Sequence, residues 1–155
     1  MATLTLPQTV AVMRRWQEEL DSPLQSLMLA IGEALADSTS RRFQTETDPL
    51  GRRWANLQPA TLARKTNRNG GIRGSGGGSF RAILKDRGHL AESFSTNRHI
   101  LTAHRQVSIG TSQSYGKYHQ FGTQHLPKRA FLGISAEDEQ TIGELVADYF
   151  QPPLL

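Results

Sequence analysis

The sequence predicts an α+β fold, in which N-terminal helices and a C-terminal helix pack on a small antiparallel β-sheet, with a long glycine-rich loop or arm. Two observations predict this class. Apolar residues recur at helical spacing in the first 46 residues and again near the C-terminus. Two short runs rich in β-branched and apolar residues lie between them. The 155 residues are expected to form a single structural domain, because a chain of this length buries about two-thirds of its unfolded surface.

Two helices are predicted at the N-terminal end. The first begins near Pro7, whose missing N–H costs nothing in a first turn, and runs to about Leu20. Asp21-Ser22-Pro23 is predicted to interrupt the helix and to start the next one, with Ser22 as N-cap. A long helix over residues 22–46 follows, because its apolar side chains form one packing stripe at helical spacing: Leu24, Leu27, Met28, Ile31 and Leu35.

The middle of the chain is predicted to contain a turn, a short helix and a glycine-rich stretch. Asp48-Pro-Leu-Gly51 has the proline and glycine positions of a β-turn, and Trp54 and Leu57 anchor the loop that leads to a helix over residues 59–66. Six glycines then fall within nine residues. Because ordering so many glycines costs too much entropy for a packed element, residues 67–80 are expected to form a flexible excursion. This excursion is a loop tip, or an arm that becomes ordered only against a partner.

A β-hairpin is predicted next. Leu90 to about Phe94 forms a helical turn or the start of a strand. Phe94–Leu101 and Gln106–Gly110 have the composition of paired strands, with the turn near Ala103–Arg105.

The C-terminal part is predicted to form a short helix, a last strand and a final helix. Tyr115–Phe121 reads as one or two helical turns that end at Gly122, and Arg129–Ile134 reads as the strand. Ser135-Ala-Glu-Asp138 resembles a capping box, with three acids that suit the positive end of the helix dipole. The final helix has an apolar stripe and is expected to end at Pro152-Pro153: Ile142, Leu145, Val146 and Tyr149.

Positive charge is concentrated in the middle of the chain. Residues 41–87 hold eleven Lys and Arg against three acids, a net charge of +8, within a chain of net charge +4. The first forty residues carry −3 and residues 88–155 carry −1. A basic middle between acidic ends either faces solvent and protein neighbours or contacts phosphates of DNA.

Composition argues against several classes of protein. There is no apolar run near 18 residues, so neither a transmembrane helix nor a membrane partner is expected. The N-terminus lacks the basic-then-apolar order of a signal peptide. The absence of cysteine excludes disulfides and thiolate metal sites, and it fits a cytosolic protein.

No motif for a metal, cofactor or reaction is found. His119 and His125 are six positions apart, whereas helical zinc ligands need a spacing of four and a carboxylate partner. The stretch from Gly110 to Lys117 has one residue too many for a P-loop, and Tyr118 stands where the metal-binding hydroxyl belongs. We therefore expect no metal, no cofactor and no enzymatic activity.

The most informative stretch is Tyr115–Thr123, which contains three aromatic residues and two glycines in nine positions. It is followed by Lys128-Arg-Ala-Phe-Leu-Gly-Ile-Ser135. Two earlier blocks are Asp48-Pro-Leu-Gly51 through Trp54–Lys65, and Ile83–Leu90 with Ser93. In this order, the four blocks resemble the phage virion morphogenesis (tail completion) family of Mu-like tailed phages.

This resemblance implies a structural protein of the head–tail junction, a tail completion or terminator-type neck ring that finishes the tail and enables stable joining to the head. It implies a closed homo-oligomeric ring, expected to be a hexamer, that contacts head connector or stopper proteins and tail tube proteins. Packaged DNA in the channel is a further expected contact. The protein would be assembled in the host cytoplasm and located in the tail or neck of the virion.

Two alternatives stay open. One is a sequence-independent DNA-binding protein that would contact phosphates through five basic residues: Arg52, Arg53, Arg64, Lys65 and Arg68. The other is a tail-assembly chaperone that leaves before maturation. The residues expected at a subunit or partner interface are basic or aromatic: Arg52, Arg53, Arg64, Lys65, Arg68, Arg73, Tyr115, Tyr118, His119, Phe121, Lys128 and Arg129.

Overall fold

The computed structural model describes residues 6–68, 82–85, 87–103 and 106–150. Within them, five helices and a two-stranded antiparallel sheet confirm the α+β class. The elements in chain order are α1 (Leu6–Thr45), α2 (Pro59–Arg68), α3 (His89–Ser95), β1 (His99–Ala103), β2 (Gln106–Gly110), α4 (Gly116–Phe121) and α5 (Ala136–Phe150).

α1 is one helix of 40 residues, so the predicted interruption at Asp21–Pro23 is wrong. A proline inside a helix removes one backbone hydrogen bond, which can kink a helix without ending it, and here the helical conformation continues past Pro23. The helix ends before Glu46, which has a φ of 58°. There the N–H of Thr47 donates to the carbonyl of Arg42 at 3.2 Å and closes the helix end near the predicted position.

The predicted hairpin is confirmed, with His99 opposite Gly110 and Ala103 opposite Gln106. Its first strand begins five residues later than expected, because Phe94 belongs to α3 and is buried in the core. The predicted turn falls largely on residues 104–105, which lie outside the described residues.

α1 packs closely on this hairpin at Gly32. A Cβ atom at Gly32 would lie 2.6 Å from Cγ2 of Ile100 and 2.8 Å from Cγ2 of Val107. Only glycine therefore allows the helix to come this close to the inner face of the sheet.

The core is built from aromatic side chains that come from distant parts of the sequence. The ring centroid of Phe43 lies 5.5 Å from that of Trp54, 6.0 Å from that of Phe94 and 5.3 Å from that of Phe131. Leu90 is buried in the same cluster. These contacts join α1, the loop before α2, α3 and the chain after α4 in one hydrophobic cluster.

The predictions for the middle of the chain hold where the structure describes it. The N–H of Gly51 donates to the carbonyl of Asp48 at 2.9 Å and closes the predicted turn. Trp54 is buried, Leu57 packs against the core, and α2 covers the predicted helix. The predicted glycine-rich excursion falls almost wholly on residues 69–81, which lie outside the described residues.

Residues 129–134 do not form the predicted strand. Side chains, rather than a neighbouring strand, bind the backbone of residues 130–133, which we call the 130–133 segment. Oε1 of Gln120 accepts the N–H groups of Phe131 and Leu132, each at 3.0 Å, and its Nε2 donates to the Leu132 carbonyl at 2.8 Å. Nε1 of Trp54 donates to the Ala130 carbonyl at 2.8 Å. Satisfied in this way, the segment needs no strand partner.

Arg42 binds the remaining carbonyls of this segment from the buried side of α1. Its guanidinium donates to the carbonyl of Phe131 at 3.0 Å and to that of Gly133 at 2.8 Å. It also donates to Oγ of Ser38 at 3.1 Å and to Oδ2 of Asp138 at 2.5 Å. Arg42 and Asp138 are 5% and 4% exposed, so the structure holds a buried ion pair between α1 and α5.

Asp138 also forms the predicted capping box of α5. Its Oδ2 accepts the N–H and the hydroxyl of Ser135, each at 2.8 Å, and its own N–H donates to the Ser135 hydroxyl at 3.2 Å. Burial alone would raise the pKa of Asp138, but hydrogen bonds from Ser38 and Ser135 and the charge of Arg42 hold that pKa below its usual 3.8. The acid therefore stays ionised at neutral pH.

α5 packs against α1. The predicted apolar stripe is confirmed, since its members are half-buried: Ile142, Leu145, Val146 and Tyr149. The predicted end at Pro152-Pro153 lies outside the described residues.

Replacing Arg42 with Met should lower the free energy of unfolding by about 3–5 kcal/mol, because Asp138 would become a buried carboxylate without its cation. Arg41→Met is the matched control: Arg41 is the next residue, its side chain is 58% exposed, and it lies 3.5 Å from the exposed Glu137. The control should change stability by less than about 1 kcal/mol. Urea denaturation measures both, and equal losses would contradict the role given to Arg42.

Candidate functional site

α4 presents three aromatic side chains to solvent, spaced three residues apart. Tyr115, Tyr118 and Phe121 are 40%, 47% and 75% exposed. Because residues three apart lie on the same side of a helix, these side chains form one surface, which we call the α4 aromatic surface. Leu126, in the loop that follows, is also exposed.

The opposite side of α4 is fixed to the core. Gly116 is buried, and a Cβ atom there would lie 3.3 Å from Cδ1 of Leu90 and 3.6 Å from Cζ of Phe131. Gln120 lies one turn further on the same side and binds the 130–133 segment. The helix therefore has one anchored side and one exposed side, which keeps the aromatic surface in place.

The loop after α4 folds back on the helix at Gly122. This residue has a φ of 78°, and its N–H donates to the carbonyl of Tyr118 at 3.0 Å, so it ends the helix as predicted. A Cβ atom there would lie 3.0 Å from the backbone nitrogen of Lys128. The fold-back brings Lys128, which is exposed, close to the end of α4.

A second cation lies at the edge of the same surface. Nζ of Lys117 lies 5.1 Å from the ring centroid of Tyr118, within the range of a cation–π contact. The α4 aromatic surface therefore has a positively charged margin formed by Lys117 and Lys128.

Arg129, predicted at an interface, is instead buried and only 5% exposed. Its Nε donates to the carbonyl of Ala55 at 2.8 Å and its Nη2 to that of Asn56 at 3.0 Å. Burial lowers the pKa of Arg129, although a guanidinium remains charged at neutral pH. These hydrogen bonds from Arg129 hold the loop before α2 against the segment that follows α4.

His119 lies beside Arg129 on the half-buried side of α4. The carbonyl of His119 accepts the N–H of Arg129 at 2.8 Å, and its ring centroid lies 6.2 Å from that of Tyr115. Its Nδ1 is buried and has no hydrogen-bond partner among the described residues. Burial, together with the positive charge of Arg129, lowers the pKa of His119 below its usual 6.5, so the ring is neutral at pH 7.

The other basic residues predicted at an interface belong to a different part of the chain. Arg52 is exposed and forms an ion pair with Asp48 at 2.8 Å. Arg53 is exposed, and its backbone forms an isolated antiparallel β-bridge with that of Thr47. Three more belong to α2, but their side chains lie outside the described residues, as does the whole of Arg73: Arg64, Lys65 and Arg68. The structure thus brings together the aromatic candidates and Lys128, while Arg52 and Arg53 lie in the turn after α1.

Sequence reasoning missed Gln120 and Arg42, both of which position this surface. Arg42 lies seven residues after Leu35 and eleven after Ile31, in register with the apolar stripe of α1. This register was the available signal that Arg42 is buried. For Gln120, the spacing of four residues from Gly116 places it on the anchored side of α4.

The α4 aromatic surface is better suited to binding another protein than to catalysing a reaction. Among the described residues, no group of three histidine or acidic side chains is placed to hold a metal ion. None of the described helices is both long and apolar enough to cross a bilayer. Exposed aromatic rings with a cationic margin are typical of surfaces that become buried against another protein.

Comparison with known protein families matches residues 8–151 to the phage virion morphogenesis family. The match extends from the first turns of α1 to the end of α5 and includes α4. Comparisons with the curated proteins and with the solved structures give no match.

The pH dependence of stability should carry the signature of His119. Because folding holds its pKa below the unfolded value, the unfolded chain takes up the proton first, and the free energy of unfolding should fall as the pH drops below about 6.5. Asp48 and Asp138, whose pKa values are lowered, lose their contribution only at pH values below 3.8.

Urea denaturation at pH 7.5 and 5.5 measures this effect in wild type and in His119→Gln, which should lose less stability between the two pH values. His125→Gln is the control, because that side chain is exposed in the loop after α4. An identical pH dependence in wild type and His119→Gln would show that the environment of His119 does not oppose its protonation.

Proposed function

The chain belongs to the phage virion morphogenesis family, and we propose that it is a structural protein of the head–tail junction that completes the tail and enables stable joining to the head. Family membership establishes a part in building phage particles. The position at the neck and the tail-completion step are our proposal. The protein acts by fitting against other proteins and catalyses no reaction.

The α4 aromatic surface is the observation that supports this proposal. Phe121 is 75% exposed, although burying such a side chain is worth about 1.5–3 kcal/mol. Contiguous exposed aromatics on a fixed support are what a protein–protein interface requires, because tyrosine and phenylalanine bring large contact area at low entropic cost. The buried anchors Gly116 and Gln120 keep this surface organised before a partner arrives.

The proposed assembly is a closed ring of identical chains, with six copies. A head-to-tail ring needs two different and complementary surfaces on each subunit. The α4 aromatic surface is one of them. The ring would contact head connector or stopper proteins on one side and tail tube proteins on the other.

Sequence-independent DNA binding is the competing function, and the burial of Arg42 weakens it. Arg42 is buried in its pair with Asp138, which lies outside residues 41–87. This leaves less charge for phosphate contacts than the net charge of +8 in residues 41–87 suggests.

Phe121→Ser should disrupt the ring and the joining of heads to tails. Loss of an aromatic anchor costs an interface about 2 kcal/mol or more, roughly a 30-fold weakening of association. Native mass spectrometry of the purified chain measures assembly. Complementation of a phage that lacks this gene, with unjoined heads and tails counted by electron microscopy, measures function.

Leu101→Ser is the matched control, because Leu101 is 73% exposed and belongs to β1 rather than to α4. It should leave the ring and the particle yield unchanged. A wild-type chain that stays monomeric and binds duplex DNA with steep salt dependence would overturn the proposal in favour of DNA binding. Absence of the chain from purified virions, tested by mass spectrometry of separated heads and tails, would favour a transient chaperone instead.

A further inference from the structure

The first half of α1 carries an apolar stripe that is exposed. Val10 and Met13 are 44% and 62% exposed, and we call them the α1 overhang stripe. Met13 lies eleven residues, or three helical turns, before Leu24. The stripe is therefore in register with Leu27 and Ile31, which are each only 6% exposed. One face of one helix is buried in its second half and exposed in its first.

The reason lies in the length of α1 relative to its neighbours. Asp138 pairs with Arg42, and α5 runs back along α1 past Leu35, to which Ile142 lies close. The described part of α5 extends twelve residues beyond Asp138, from 138 to 150, or about 18 Å, which reaches the level of Ala30. Before Leu24, every side chain that the structure describes is exposed. A helical extension of this length is marginal in water unless its apolar face is covered.

The two exposed apolar surfaces lie near opposite ends of α1. The α4 aromatic surface rests on Gly116, which packs on Phe131, and the ring of Phe131 lies 5.3 Å from that of Phe43. Met13 and Phe43 are thirty residues apart on one helix, a distance of about 45 Å. The α4 aromatic surface therefore cannot cover the overhang stripe of its own chain.

We propose that the α1 overhang stripe of one copy docks on the α4 aromatic surface of a second copy. This inference rests on the proposed ring, for which it supplies the second of the two unlike surfaces. Methionine suits such a contact, because its flexible thioether packs favourably against aromatic rings. Two unlike surfaces at opposite ends of a subunit produce head-to-tail association, whereas a single self-complementary surface would produce a pair.

Charge favours the same pairing. Residues 6–23 carry a net charge of −1, because Arg14 and Arg15, directly after Met13, are outnumbered by Glu18, Glu19 and Asp21 further along the helix. The margin of the α4 aromatic surface is positive, since Lys117 and Lys128 are both exposed. Two basic margins repel each other, whereas a basic margin and a helical segment of net negative charge attract each other, so charge disfavours pairing of two α4 aromatic surfaces.

Cross-linking tests the contact directly, because the chain contains no cysteine. Met13→Cys and Lys117→Cys chains are purified separately, mixed, and treated with a short bismaleimide. Cross-linked pairs should form in the mixture at least tenfold more than in either variant alone. In the control mixture, Ala11→Cys replaces Met13→Cys, because Ala11 is exposed on the opposite side of the same helical turn. Equal yields with Ala11→Cys, or cross-linking of Met13→Cys to itself, would overturn the inference.

A charge placed on the stripe gives an independent test. Met13→Glu should weaken ring assembly at least tenfold in sedimentation velocity, because a carboxylate would be buried against apolar rings. Ala11→Glu adds the same charge to the same turn and should leave assembly unchanged. A ring that is broken by Phe121→Ser but tolerates Met13→Glu would overturn this contact and leave the proposed function standing. A wild-type chain that forms no ring would overturn both.

Discussion

The buried guanidinium of Arg42 is the contact on which the rest of the structure depends, because it joins α1 to two segments that lie far away in the sequence. It binds two carbonyls of the 130–133 segment and the carboxylate of Asp138. Asp138 in turn caps α5 through Ser135. Burying a charge is costly unless it is fully paired. This requirement explains why α1, the 130–133 segment and the first turn of α5 are held in one arrangement.

That arrangement determines how α4 is presented. Because Arg42, Gln120 and Trp54 satisfy its backbone groups, the 130–133 segment is fixed without belonging to a sheet. The segment supports α4 through Gln120, and Phe131 lies against Gly116. Buried hydrogen bonds therefore hold in place the helix that carries the exposed aromatic side chains. A partner that binds them does not have to bear the entropic cost of ordering this part of the chain.

The length of α1 gives the molecule its polarity. Its second half is covered by α5 and the hairpin, whereas its first half extends beyond them with Val10 and Met13 exposed. The aromatic surface lies at the covered end and the apolar stripe at the free end. A subunit with two different exposed apolar surfaces at its two ends is suited to repeated head-to-tail contact. Such a geometry is consistent with a family whose members take part in building virus particles.

What the sequence by itself determined was local: the apolar stripe of α1, the turn closed by Gly51, the helix end at Gly122 and the capping box before α5. Each depends on residues a few positions apart, whose spacing can be read directly. The prediction from sequence was wrong at Pro23, because a missing hydrogen bond does not by itself end a helix. Only the tertiary structure decided which groups pair with Arg42, that Arg129 is buried and that residues 129–134 are not a strand. The carbonyl and carboxylate partners of Arg42 and Arg129 lie more than seventy positions away, so whether a cation contacts solvent or a carbonyl depends on which distant segments pack beside it.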